Sequence, residues 1–153
     1  MRLTDYVVKH SVGVADFMMD YAEKHFPDAD ADAYYIVGLL HDIGKLHPNP
    51  VGKNLYKDHP RTGGEMLKNM GFYHYKAVMH HGHPEDGYFS QMWLILNLAD
   101  LSVNGKGEII SICDRLEDIK YRYGENSEEY KHAYDIFKLL VKHNIIREDG
   151  SVI

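Results

Sequence analysis

Residues 90–101 read SQMWLILNLADL. From Met92 to Leu101, apolar side chains occupy all sides of a 3.6-residue repeat, and Ser90 stands where an N-cap belongs. A helix that is apolar all round is buried, and this one is too short to span a bilayer. The stretch therefore predicts a core helix around which the rest of the chain packs. Asn97 and Asp100 interrupt it. No lysine or arginine lies within a turn of Asp100, so a carboxylate buried there must neutralise or bind something.

Outward from this helix, nearly every long segment keeps a helical period. Upstream, Leu3, Tyr6, Val7, His10, Val14, Phe17, Met18 and Tyr21 recur every three or four residues, and Pro27 ends that helix. Asp28 or Asp30 caps a second helix over roughly 31–43, which Gly44 is placed to stop. Residues 47–58 hold two prolines, Gly52 and two asparagines, and predict a rim loop or lid. Pro60 suits the first turn of a helix reaching Asn69 or Met70, and another helix covers about 73–81. Downstream, helices are predicted from about Ser111 to Arg122 and from Ser127 to about His143. No segment reads as a strand and no repeat or composition shift marks a boundary. The expectation is an all-α, single-domain bundle of six or seven helices over residues 1–153.

Composition narrows the function. The 17 basic and 23 acidic residues leave a formal charge of −6, which argues against a broad nucleic-acid surface. The opening MRLTDYVVKH has no signal-type apolar run, and no apolar stretch reaches membrane length, so a cytoplasmic protein with no membrane partner is expected. The single cysteine, Cys113, excludes an internal disulfide and reads as a small packed apolar group. The unusual count is eleven histidines, seven of them from His41 to His83.

Several polar residues lie where a core is expected. His10 falls in the apolar stripe of the first helix, and His41 with Asp42 lies at the inner side of the second. His59 precedes Pro60, and His80 with His81 precedes Gly82. Each of these places, and Asp100, is about one helix and one loop from the next, so a bundle can bring them to one centre. Imidazole and carboxylate suit manganese, iron, cobalt, nickel or zinc, and the lack of accompanying cysteines counts against a structural zinc cluster. His25, His47, His74, His132 and His143 form no pattern and read as surface or capping residues; His83 reads as a turn histidine or part of the entrance.

The string HDIGK at His41–Lys45 resembles the signature of the HD-domain metal-dependent phosphohydrolases. His10 in VVKHSVGVADF matches the first ligand position of that family, and Asp100 in LILNLADL the last. His59 in DHPRTGGEML resembles the additional ligand of binuclear members. His80 and His81 in AVMHHGHPEDGY resemble the paired histidines of the cyclic-dinucleotide phosphodiesterases, while His81 alone matches the diadenosine tetraphosphate hydrolases. The resemblance is strongest over residues 10–101. Tyr6 stands where the cyclic-dinucleotide branch has an acid and Val103 where it has a lysine, which counts against that substrate.

The resemblance implies two divalent transition ions, with magnesium also open. His10, His41, Asp42 and Asp100 would surround one, and Asp42 would bridge to a second held by His59 with His80, His81 or both. Asp42 and Lys45 are the implied catalytic residues, Lys45 as a phosphate contact or, more simply, a helix-end lysine. The implied activity is hydrolysis of a phosphoester or phosphoanhydride in a small, nucleotide-like molecule. A non-catalytic metal-binding sensor or scaffold and an iron-dependent oxygenase are the alternatives. Arg61, Lys53 and Lys57 are weaker candidates for phosphate, and Tyr34, Tyr35, Tyr73 and Tyr75 for stacking on a base. The Asp114, Glu117 and Asp118 cluster reads as a solvated helix face, and residues 104–153 carry no motif.

Overall fold

The computed structural model describes residues 2–47 and 55–153, without the side chains of 55–57. Seven α-helices occur among them: α1 (Leu3–His25), α2 (Ala31–Leu40), α3 (Leu55–Asn69), α4 (Tyr75–Met79), α5 (Gln91–Ser102), α6 (Ile112–Tyr123) and α7 (Glu128–Lys142). Short 3-10 turns cover Ile43–Leu46 and Pro84–Asp86. The described residues contain no β-strand, only isolated bridges from Val103 to Ile109 and from Ile146 to Val152. The fold is all-α. No described helix is long and apolar enough to cross a membrane.

The helices start where the sequence places their caps. The Asp30 carboxylate accepts from the backbone N–H groups of Asp32 and Ala33. The hydroxyls of Ser90, Ser111 and Ser127 each accept from the N–H three residues on. Helix α5 is the centre of the bundle: Trp93, Leu94, Ile95, Leu96, Leu98 and Ala99 are all buried, and it packs against α1, α2, α4, α6 and α7. Val14, Met18 and Val37 complete the core on the α1–α2 side, and Ile136 and Leu140 on the α7 side.

Four local expectations change. Helix α2 ends at Leu40, and the chain passes through His41 and Asp42 into a 3-10 turn instead of running to residue 43. Gly44 is no left-handed helix stop; it is buried where that turn presses on α3. A Cβ on Gly44 would collide with the His59 carbonyl oxygen and lie 2.7 Å from the Gly63 nitrogen. Pro60 lies inside α3 instead of opening it. Its missing N–H costs one helical hydrogen bond, which packing of α3 on the 3-10 turn and α4 offsets. Cys113 is exposed, and its thiol donates to the Asp149 carbonyl at 3.2 Å. Most of the expected rim loop, with Lys53, lies outside the described residues, as does the Lys57 side chain.

Because the atoms facing Gly44 are backbone, a methyl group there forces the 3-10 turn away from α3. Gly44→Ala is expected to cost about 1–3 kcal/mol, the usual range for overpacking. Urea unfolding followed by circular dichroism checks it.

Candidate metal centre

Four elements converge beside α5. His10 comes from α1, His41 and Asp42 from the end of α2, His59 from α3, His81 from the turn after α4, and Asp100 from α5 itself. Three imidazoles are held by the same device. His10 Nδ1 donates to the Asn104 carbonyl (3.1 Å), His41 Nδ1 to Gly38 (2.7 Å) and His81 Nδ1 to Val78 (2.6 Å). A ring nitrogen bonded to a carbonyl must carry the proton, so in the neutral ring Nε2 keeps its lone pair. All three Nε2 atoms face the centre.

Asp42 sits between them, buried, with its two oxygens serving different sides. Oδ2 faces His41 Nε2 at 3.3 Å, His10 Nε2 at 3.8 Å and Lys45 Nζ at 3.1 Å. Oδ1 faces His59 Nε2 at 2.9 Å and His81 Nε2 at 3.5 Å. Asp100 Oδ1 closes the first side, 2.8 Å from His10 Nε2 and 3.4 Å from His41 Nε2.

The double histidine is split by α5. Trp93 Nε1 donates to the His80 carbonyl (2.8 Å), and Asn97 Oδ1 accepts from the Gly82 N–H (2.8 Å). These bonds fix a turn in which Gly82 takes a φ of +75°, a conformation costly for other residues. His81 is thereby turned inward. His80 is turned out, bonded through Nδ1 to Asp86 (2.8 Å) and stacked on Tyr88. The structure thus does not bring His80, expected as a ligand, into the cluster; of the pair, His81 faces Asp42.

The electrostatics follow from this crowding. Burial pushes the Asp42 carboxyl up, but the charges of His41 and Lys45 and hydrogen bonds from His59 and His81 hold it well below the usual range. Asp100 is likewise held low against its burial by its bond from His10 and by the imidazole of His41 beside it. Burial opposes the charged form of His10, yet Asp100 outweighs it and raises its pKa; in His59 burial wins over Asp42 and lowers it. Lys45 is raised, the fields of Asp42 and Asp100 exceeding the desolvation.

The donor set fits divalent cations. His41 Nε2 is fully buried and has no hydrogen-bond partner among the described residues. His59 and His81 point their Nε2 atoms at each other across 3.2 Å, which needs a proton on one or a cation shared by both. His10, His41 and Asp100 offer ligand atoms within 4.8 Å of one another, as do His41, Asp42 and His81. Nitrogen with carboxylate oxygen suits a divalent transition metal.

The HD domain family profile matches residues 7–119, a span containing every member of this cluster. The chain belongs to the HD domain family. No curated protein and no solved structure gives a significant match.

In this HD domain the centre opens into a cavity of about 810 Å³. Lys45 lies on its wall, and Arg115, Asp118 and Arg122 line it from α6, so Asp118, expected on a solvated face, borders the cavity. Their spacing of three and four alongside Ile112, Leu116 and Ile119 is the signal that could have placed them. Among the described residues the tyrosines on the wall are Tyr6 and Tyr123; Tyr34 is in the core and Tyr73 is exposed. Arg61 lines a separate cavity with His80 and Asp86.

Two outcomes follow from this geometry. His81→Ala is expected to lose bound metal while His80→Ala retains the wild-type amount, measured as metal per chain by elemental analysis after loading and gel filtration. The carboxylates set the acid limit of the metal-free protein. Their folded pKa values lie below 3.8, so their stabilisation is complete above that pH and is lost as the pH falls toward those values. Urea melts of chelator-treated protein should show stability dropping below pH 3.8, and less steeply for Asp42→Asn.

Proposed function

We propose that this HD domain hydrolyses a phosphoester or phosphoanhydride bond in a small, nucleotide-like molecule, using two divalent ions. The observation that carries the reading is the division of labour at Asp42, whose Oδ2 serves the His10, His41 and Asp100 side and whose Oδ1 serves His59 and His81. Those six side chains would hold the ions. When bound, such ions act as Lewis acids on the phosphoryl oxygens and bring a water toward ionisation near neutral pH.

The chain's own residues supply the rest. Asp42, kept charged by its neighbours, balances the cationic charge and fixes the separation of the two ligand groups. Lys45 Nζ has three N–H donors and spends one on Asp42, so others are free to reach a phosphate oxygen. Arg115 Nε is buried with no hydrogen-bond partner among the described residues, on the wall of the same cavity, while its Nη1 lies 3.7 Å from Asp118. A buried guanidinium donor without an acceptor is costly, and a second phosphate or other anionic arm of the substrate would satisfy it. No described serine, threonine or cysteine lines the cavity, so the nucleophile in this reading is water. A cavity of about 810 Å³ accepts a molecule of nucleotide size.

Asp42→Ala is expected to remain folded and lose turnover altogether. Lys45→Ala should lower kcat/KM by about 10- to 100-fold, the worth of one charge-assisted hydrogen bond. Arg115→Ala should act mainly on KM. The assay is product release from a panel of nucleotides and phosphoesters by protein loaded separately with manganese, iron, cobalt, nickel, magnesium or zinc. Nucleotide binding without product under every metal would make the protein a sensor; product formed only with iron and with consumption of oxygen would make it an oxygenase.

A further inference from the structure

His132 of α7 stands outside the stretch matched by the family, and no pattern in the sequence gives it a role. In the folded chain it meets His83 and Glu85, residues at and within the 3-10 turn Pro84–Asp86. His83 Nδ1 lies 2.5 Å from Glu85 Oε1, and His132 Nε2 lies 3.3 Å from Glu85 Oε2. The two imidazoles approach edge-on, with ring centroids 5.3 Å apart. One ligand atom from each of the three residues falls within 4.8 Å of the other two. The His132–Glu85 separation matches the edge of about 3.3 Å between donors about 2.0 Å from a shared tetrahedral ion, whereas the His83–Glu85 contact is a hydrogen bond that an ion replaces.

We propose that His83, Glu85 and His132 form a further site for a divalent transition metal, separate from the Asp42 centre. Two imidazoles and one carboxylate select zinc, cobalt, nickel or copper over calcium and magnesium, which take oxygen ligands. Three protein ligands leave at least one position for water or an anion. The side chains are partly open, with 19% of His83, 21% of His132 and 47% of Glu85 exposed, so an ion enters directly from solvent. His83 and His132 both line the large cavity and the smaller one beside it, which places the ion on the wall between them. Occupancy ties α7 to the turn that follows His81 and so fastens the C-terminal helices to the rim of the Asp42 centre.

Full-length protein is stripped with chelator, reloaded with cobalt or zinc, passed through gel filtration and analysed for metal per chain. His83→Asn and His132→Asn are each expected to hold one ion fewer than wild type, and Glu85→Gln, altered at a half-open position, repeats the loss. Asp42→Ala should keep this ion, and Asp42→Ala with His132→Asn should lose it. The visible spectrum of the cobalt form of Asp42→Ala should show a band that disappears in the double variant. His143→Asn, an exposed histidine elsewhere on α7's end, is the control for loose imidazole binding. Wild-type metal content in folded His83→Asn and His132→Asn would overturn the proposal, as would an equal loss in His143→Asn. Should Asp42→Ala keep the full wild-type content while the three rim variants each lose one ion, the central reading fails and this one stands.

Discussion

A carboxylate enclosed by four imidazoles and an ammonium is the constraint on which this structure turns. Asp42 is buried, and an isolated anion there would be neutralised. It stays charged because His41, Lys45, His59 and His81 surround it. Those partners come from separate parts of the chain, so the bundle must close correctly before the charge is compensated. The converse also holds. Without Asp42, the imidazoles of His59 and His81 would face one another with no anion between them. Site and fold are therefore stabilised by the same contacts, and a bound cation adds to both.

Much of the architecture was legible because helices announce themselves twice, by periodicity and by caps. Asp30, Ser90, Ser111 and Ser127 stand where an N-cap reading puts them, and α5 is buried on all sides as its composition demands. The errors arose where tertiary contact outweighs local preference. Gly44 looks like a helix stop, yet its lack of a side chain is used for close approach to α3. Pro60 looks like a helix start, yet the helix runs through it.

The site was legible to the level of residue type and partly to the level of partner. His10, His41, Asp42, His59, His81 and Asp100 could be read as a set because each is polar in a segment that wants to be apolar, or matches an ordered family pattern. Choosing between His80 and His81 was beyond the sequence, because the choice is made by Trp93 and Asn97 on another helix. Arg115 and His132 were hidden for a related reason. They lie on amphipathic helices whose polar faces look solvated until the cavity is seen beside them.

Helix α5 carries Trp93, Asn97 and Asp100 at intervals of four and three residues. The first two aim His81, and the third closes the opposite side of the centre. The helix thus acts as a ruler whose marks must stay in phase. One residue inserted between Asn97 and Asp100 would rotate everything beyond it by about 100° and advance it by about 1.5 Å. The apolar composition would survive such an insertion, and so would the burial, because every face of the helix is already hydrophobic. The alignment of the two halves of the centre would not. Helix α5 can therefore exchange one apolar side chain for another far more freely than it can change its length.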